Sequence, residues 1–545
     1  MSQATKPWSM ARVIAASSAG TAFEWYDFFI FGSLTPIISK VFFAGLDSTS
    51  ALVAALALFA VGFAFRPLGA LLFGAMGDRI GRKATFLATV SLMGGATFAI
   101  GLLPTYAQAG VLAPILLIIL RICQGTALGG EYGGAAIYVA EHAPDTQRGG
   151  ATGWIQSSAS FGLLAALLVI FATRRWLGEE AFAAWGWRIP FVVSVVLLAI
   201  SVWMRARLSE SPAFARLREE GNVCKAPLRE AFADRDNLKR VAIAFFGIMC
   251  AQGAVWYFTF FYMQVFLEKS LGVPGATKDL LLIVMTLASA PLYVLFGRLG
   301  DRLGRKPVML FGMVLALLLY FPGSHWIAQA ANPALVEVQR ATPVVVHADS
   351  ATCSSQFDPT GTRRFDSACD IAKSLLVARG IGYRSAPALD QGTAVITVGG
   401  QRLEVAGGEG LDNAALKAAR TAAGEALKIR LSAAGYPAGA DPKAMNYPLL
   451  IAILLLFVVA ATALYGPQAA ALVEMFPTRI RYSAMSLPYH FGTGWVGGFL
   501  PVTSFAIVAM TGDIYAGLWY SVIFTAISVV VTLFFLKETV GKPLS

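Results

Sequence analysis

GAMGDRIGRK, residues 74–83, returns as GRLGDRLGRK, residues 297–306, so the first question is whether the chain itself is built twice. Each copy closes a long apolar run. In the first, Gly74, Gly77 and Gly81 permit close approach and a tight turn, Asp78 can accept from a helix N-terminus, and Arg79, Arg82 and Lys83 hold the loop on one side of a membrane. A second marker repeats as well. Glu141, Pro144 and Arg148 have the spacing of Glu474, Pro477 and Arg481, but the shift between these copies is larger by about 110 residues. The chain therefore reads as two like halves, the second interrupted by an insertion.

Composition places both halves in a bilayer. Charged residues are 14% of the chain, against about 25% in ordinary soluble proteins. Hydrophobic residues are 57% and mean hydropathy is +0.64. A hydrocarbon core about 30 Å thick needs about 20 apolar residues per helix, and twelve such stretches can be read. They run roughly 13–40, 51–77, 84–105, 111–140, 150–173, 187–207, 241–267, 278–298, 307–327, 447–473, 482–510 and 514–536. The expectation is an all-α polytopic membrane protein of twelve transmembrane helices in two six-helix halves. MSQATKPWSMAR at the start has no small-residue cleavage site behind a short apolar core, so no cleaved leader is expected.

Lys and Arg set the orientation. Arg205, Arg207, Arg216, Arg218, Lys225, Arg229, Arg235, Lys239 and Arg240 crowd the segment between the sixth and seventh stretches, and the loops after the second and eighth are also basic. All three, with both termini, are expected in the cytoplasm of a bacterium whose inner membrane the chain crosses; Arg174 and Arg175 run against the rule. The net charge of +11 then reflects topology, and no nucleic-acid partner is expected. The division is 1–208 for the first half, 209–240 for a cytoplasmic linker, 241–329 and 446–545 for the second half, and 330–445 for the insertion.

The insertion has a soluble composition. VVVHAD and the pair AVITV and RLEV read as strands, the pair joined by Gly399, Gly400 and Gln401. One helix is expected to end at Gly380, and another to run from an Asp412 cap to Gly435 and Pro437. A small extracytoplasmic α+β domain between helices nine and ten follows. Cys353 and Cys369 form the only cysteine pair outside the membrane and cytoplasm, and an oxidising compartment should bridge them.

Two six-helix halves with Gly-x-x-Gly-Asp-Arg-x-Gly-Arg-Lys after the second helix of each resemble the major facilitator superfamily. EWYDFF (24–29), RICQGTALGGEYGGA (121–135), WGWRIPF (185–191) and EMFPTRIR (474–481) narrow the resemblance to its metabolite:proton symporter family. The likeness covers nearly all of the chain except the insertion, where that family has a short loop. It implies uptake of a small organic acid or zwitterion, such as shikimate, 2-oxoglutarate, citrate, proline or betaine, with a proton. It also assigns Gly77, Asp78, Arg79, Gly81 and Arg82, with Gly300, Asp301, Arg302, Gly304 and Arg305, to the gate on the cytoplasmic side.

The residues can be read without that name. Glu24 and Asp27 share a face of the first helix, and two neighbouring carboxylates in a poorly solvated cavity cannot both ionise easily. One can hold a proton at neutral pH and release it when the cavity opens to the other side. The alternative is a permanent ion pair with an arginine such as Arg121 or Arg66. Glu131 joins them as a third coupling candidate. Arg121 and Arg66 are intramembrane charges suited to a carboxylate substrate, while Gly125 and Gly129 read as helix-packing positions. Arg121 corresponds to Leu454 in the second half, which instead carries Gln252, Trp256, Tyr257, Tyr465, Gln468 and His490. These, with Tyr26, are the candidates for contacts to substrate. His490 reads as a packing hydrogen bond more readily than as a metal ligand. No metal set and no phosphate loop is read, and no cofactor beyond the coupling proton is expected.

A monomeric secondary transporter is the leading function. A sensor using the insertion as its receptor is the rival from another class, and no nucleophile, base and orienter supports an enzyme.

Overall fold

The computed structural model describes residues 10–43, 58, 61–207, 209–354, 365–389 and 393–544. The extreme N-terminus and most of the first ten residues of the stretch read at 51–77 lie outside the described residues. The first half contains α1 Met10–Phe42, α2 Arg66–Arg79, α3 Arg82–Leu102, α4 Leu112–His142, α5 Arg148–Leu177 and α6 Arg188–Ala206. The second contains α7 Arg235–Ser270, α8 Gly275–Leu303, α9 Arg305–Ala331, α10 Tyr447–Met475, α11 Arg481–Thr511 and α12 Leu518–Phe535. Among the described residues, the ten helices other than α1 and α2 are long and apolar enough to cross a bilayer. Leu168, Phe171, Leu318 and Phe534 stand exposed on them, an outward face suited to lipid and not to water.

The halves meet along two seams related by the internal repeat, α2 against α11 and α8 against α5. The repeat explains what these contacts need. A methyl group at Gly297 would overlap the Gly149 carbonyl, and one at Gly74 would lie 2.9 Å from the Ser483 Cα, so the first glycine of each motif lets a backbone approach closely. The turn that follows needs a left-handed residue: φ is +122° at Gly81 and +106° at Gly304. Two helices of the second half are irregular. α7 widens into π-helical turns at Ala244–Met249, Phe258–Tyr262 and Phe266–Ser270, and α11 does so at Phe491–Gly497. Such turns shift side-chain direction and are frequent near functional sites.

Between α9 and α10, β1 Val344–His347, β2 Tyr383–Ala386, β3 Thr393–Val398 and β4 Gln401–Ala406 form one sheet in the order β2-β1-β3-β4. β1 runs parallel to β2, and β3 is antiparallel to β1 and β4. The β3–β4 turn is Gly399–Gly400, both at positive φ. Helices Ala368–Val377 and Asn413–Ala433 accompany the sheet, the second capped by Asp412, which accepts from Ala415 N at 2.7 Å. Val344, Val346, Ile371, Leu376, Ile396, Leu403 and Leu427 form a core separate from that of the helices. Cys353 and Cys369 are joined by a disulfide. β2 was not expected from the sequence; its YRSA has one buried residue, Tyr383, and no alternation to read.

This segment is docked on the second half. Tyr383 N donates to Gly512 O at 2.8 Å, Ala440 N to Gly272 O at 2.9 Å, and Asn446 N to Ala330 O at 2.9 Å.

Candidate functional site

Asp27 is 5% exposed on α1, its Oδ1 has no hydrogen-bond partner among the described residues, and the Thr97 hydroxyl of α3 lies alongside. Thr97 Oγ1 accepts from Gln124 Nε2 at 2.7 Å, and Gln124 Oε1 accepts from Arg121 Nη1 at 2.9 Å. A polar relay thus joins the lone carboxyl to a guanidinium that also lies 4.0 Å over the Phe31 ring. The sequence singled out Asp27 and Arg121 but not Thr97 or Gln124. Gln124 stands three residues after Arg121, and that i,i+3 spacing was the available signal.

Glu24 and Glu131 meet a different arginine from the two expected. Arg205 Nη2 lies 2.7 Å from Glu24 and 2.9 Å from Glu131, with all three side chains at most 2% exposed. The charge pattern of the sequence places Arg205 with the cytoplasmic basic segment. It stands in the last turn of α6, where its side chain turns inward under the Phe86 ring, 3.6 Å from the guanidinium. Glu131 Oε2 also pairs with the Thr89 hydroxyl at 2.6 Å.

Arg66 brings the two halves' candidates together. Its guanidinium lies 4.2 Å over the Phe63 ring and 5.1 Å from Phe28, with Tyr257 of α7 and His490 of α11 against it. Arg66 Nε and Nη2, Gln252 Oε1, Gln468 Oε1 and both ring nitrogens of His490 are buried outside hydrogen-bond geometry among the described residues. Buried polar groups ordinarily find partners, and of these Arg66 and His490 lie against each other across the two halves. The Gly129 backbone of α4 nevertheless lies beside the His490 ring, a contact of the packing kind the sequence favours. The aromatic candidates are more committed. Trp256 Nε1 donates to Tyr293 Oη at 2.7 Å, and Tyr465 and Tyr489 share a hydrogen bond at 2.9 Å. Tyr26 stands apart: its hydroxyl donates to Pro190 O at 2.9 Å inside the first half's own core, which removes it from the shared cluster.

At the motif end the repeat becomes a pair of latches. Asp78 accepts from Tyr482 N at 3.2 Å and Ser483 N at 2.9 Å, the first turn of α11, and Asp301 accepts from Gly149 N at 2.8 Å and Gly150 N at 2.7 Å, the first turn of α5. Arg82 lies 3.3 Å from Asp78 and 3.7 Å from Glu141, as Arg305 lies 2.6 Å from Asp301 and 3.1 Å from Glu474. Gly77 and Gly300 leave room for Tyr482 and Pro467. Arg79 Nε donates to Lys225 O of the linker at 3.0 Å, while Arg302 is exposed. Glu210 after α6 caps α3 through Arg82 N at 3.0 Å, and Glu538 after α12 caps α9 through Arg305 N at 3.0 Å. Neither acid belongs to the two repeated motifs, but Leu-Ser-Glu-Ser at 208–211 and Leu-Lys-Glu-Thr at 536–539 repeat a pattern of their own.

The Major Facilitator Superfamily model matches residues 18–336, and the "Sugar (and other) transporter" model matches 426–545. The proline/betaine transporter of Salmonella typhimurium is 36% identical over 327 residues, 57% of this chain and 64% of that protein. The Escherichia coli proline/betaine transporter is 37% identical over the same length. The match thus spans less than two thirds of these relatives. The inner membrane metabolite transport protein YhjE of Escherichia coli is 35% identical over 335 residues, 60% of this chain and 75% of that protein. Among solved structures, the proton:xylose symporter XylE bound to 6-bromo-6-deoxy-D-glucose superposes with a TM-score of 0.61 at 17% identity, covering 98% of this chain and 97% of that one. A double-tryptophan XylE mutant gives 0.64 at 16% over the same shares, a likeness of fold. With the doubled motif, the two seams and the family match over more than half its length, the chain belongs to the major facilitator superfamily and is a multi-pass membrane protein.

Proposed function

We propose that this chain is a proton-coupled symporter importing a small organic acid or zwitterion across a bacterial inner membrane, working as a monomeric unit. In this reading all twelve helices span, both termini and the latch end face the cytoplasm, and the sheet-containing segment is an extracytoplasmic α+β domain inserted at 330–445. The observation that carries it is Asp27: a buried carboxyl with an open oxygen, joined through Thr97 and Gln124 to Arg121. An isolated buried carboxylate is costly, so this group holds a proton until the cavity wets or a cation arrives. Arg66 and Arg121 hold the substrate's carboxylate, and Gln252, Gln468, His490 and the Tyr257 and Trp256 rings contact its remainder. Alternating access follows from breaking the Asp78 and Asp301 latches while the halves rock about the centre.

Uptake by right-side-out vesicles under an imposed pH gradient, with labelled glycine betaine, proline, citrate, 2-oxoglutarate and shikimate tried in turn, tests the reading. Gradient-dependent accumulation of one of them is expected. Binding without uptake of any would favour a sensor built on the docked segment.

A further inference from the structure

Glu24, Arg205 and Glu131 form a closed set of two carboxyl groups and one guanidinium. Each side chain is at most 2% exposed. If both acids were ionised, a net negative charge would sit inside the first half with no second cation in the set, and burying an uncompensated charge is strongly unfavourable. The hydrogen bonds say the same. The Glu24 and Glu131 carboxyl groups lie against the same Arg205 Nη2, at 2.7 and 2.9 Å, so the two acids are close neighbours and a proton on one of them relieves their repulsion. The Thr89 hydroxyl lies 2.6 Å from Glu131 Oε2 and 3.1 Å from Phe86 O, two acceptors for its single hydrogen. A proton on Glu131 satisfies both contacts.

The outer wall of this set is a residue of the other half. Tyr482, in the first turn of α11, is fully buried, and its hydroxyl donates to Gly130 O, the residue before Glu131. Methyl groups at Gly77 or Gly134 would strike its ring or hydroxyl, so the side chain is wedged between α2 and α4. Its own backbone N–H is one of the two that Asp78 accepts. One residue therefore belongs both to the latch and to the wall beside Glu131. The charged and titratable groups around the set are Glu24 from α1, Asp78 from α2, Arg82 from α3, Glu131 from α4, Arg205 from α6 and Tyr482 from α11.

We infer that Glu24 and Glu131 hold one shared proton under Arg205, and that Tyr482 is the seal whose withdrawal, when the latch opens, lets that proton leave to water at the motif end. The step is a simple acid dissociation. The O–H bond of the protonated carboxyl breaks, water takes the proton, and the second carboxylate becomes an ion-pair partner of Arg205. The site is distinct from Asp27, which lies on the Thr97–Gln124–Arg121 relay, and it gives the first half two proton stations, one on the central relay and one behind the gate. It rests on the alternating-access reading above for its use, but not for its protonation.

Infrared spectroscopy of the full-length protein in liposomes reads the proton directly. At neutral pH a protonated-carboxyl band is expected that disappears in Glu24→Gln and in Glu131→Gln and survives in Asp27→Asn. On transfer to D2O the same band should exchange about tenfold faster or more in Tyr482→Ala than in the unaltered protein, because the seal is gone. Where Tyr482→Ala fails to fold, Asp78→Asn loosens the same contact and must give the same acceleration. A band that is present in Asp27→Asn and persists when either glutamine change is added to that variant, or that exchanges at the unaltered rate in the seal variants, overturns the inference. Counterflow of labelled glycine betaine in the same liposomes separates the two readings. A protein with the band behaviour and no flux of any tested solute loses the transport reading alone. One with flux and an indifferent band loses this inference alone.

Discussion

Arg481 Nη1 lies 2.8 Å from Glu141 Oε1, so the residue that opens α11 in one half is clamped to the residue near the end of α4 in the other. Both side chains are at most 1% exposed. The same two positions of the repeat meet in reverse where Arg148 lies 3.5 Å from Glu474. Each arginine starts the helix whose first amides the aspartate of the opposite motif accepts. The two repeated markers are thus the two sides of one latch.

Replacing Asp78 or Asp301 by Asn weakens an acceptor of two buried backbone N–H groups, and each change should cost the closed arrangement about 1–3 kcal/mol. The seams are apart, so the double variant should show near-additive loss. Distance distributions between spin labels placed across the motif end report the open fraction. An Asp78→Asn distribution that matches the unaltered protein would remove the latch from the mechanism.

Asp27→Asn should abolish accumulation driven by a pH gradient while substrate counterflow, which needs no net proton movement, continues. The comparison is made in one vesicle preparation with the inside pH varied. Normal gradient-driven accumulation by the variant would exclude Asp27 as the coupling group.

Arg66→Gln and Arg121→Gln should each weaken substrate binding at least about tenfold, or about 1.4 kcal/mol. Arg121→Lys should recover little, since Lys keeps the charge but not the planar fork that Gln124 and a carboxylate use together. Calorimetric titration with the transported solute decides. If the Lys and Gln variants of Arg121 both bind normally, the residue is structural.

Arg479, between α10 and α11, donates to Glu230 of the linker at 2.6 Å, and that hydrogen bond holds the Glu230 carboxyl below its ordinary value of 4.5. A depressed carboxyl contributes its stabilisation above the unfolded value and loses it as pH falls through the lower folded one. The clamp should therefore be intact at neutral pH and fade on acidification below the ordinary glutamate range. The pair is partly exposed, so its contribution is about 0.2–1 kcal/mol. Hydrogen exchange over residues 221–234 should be faster in Arg479→Gln at neutral pH, and the difference should vanish in acid. A difference that stays constant with pH would contradict this.

The ends of the docked segment meet, with Asn446 N donating to Ala330 O at 2.9 Å, so a short linker can span them. Replacing residues 335–442 by a Gly/Ser linker should leave measurable transport in correctly inserted protein. Loss of both binding and transport would make the segment part of the transport path.

Some of this was written locally along the chain. Apolar runs about 20 residues long, the doubled motif and the glycines at its turn need only neighbouring residues to be read, because bilayer thickness and backbone sterics act on each segment separately. The strands at 344–347, 393–398 and 401–406 were legible for the same reason, since alternation and a Gly–Gly turn are local signals. The carboxylates Glu24 and Asp27 stood out because a charge in an apolar helix is conspicuous wherever the helix lies.

Their partners were a different matter. Arg205 is 181 positions from Glu24, and at the end of a helix the direction of a long side chain, out to headgroups or in under Phe86, is chosen by the helices beside it. Tyr26 and Asp27 are adjacent in sequence, yet one is spent on Pro190 within its own half while the other keeps an open oxygen. Tyr482 carries no local signal that sets it apart, because the space it fills is made by Gly77 of α2 and Gly134 of α4. The sequence by itself determined that this is a duplicated membrane bundle with acids and arginines inside it. Only the tertiary structure decided which acid meets which arginine, because pairing is settled by packing between distant helices, and no local periodicity encodes it.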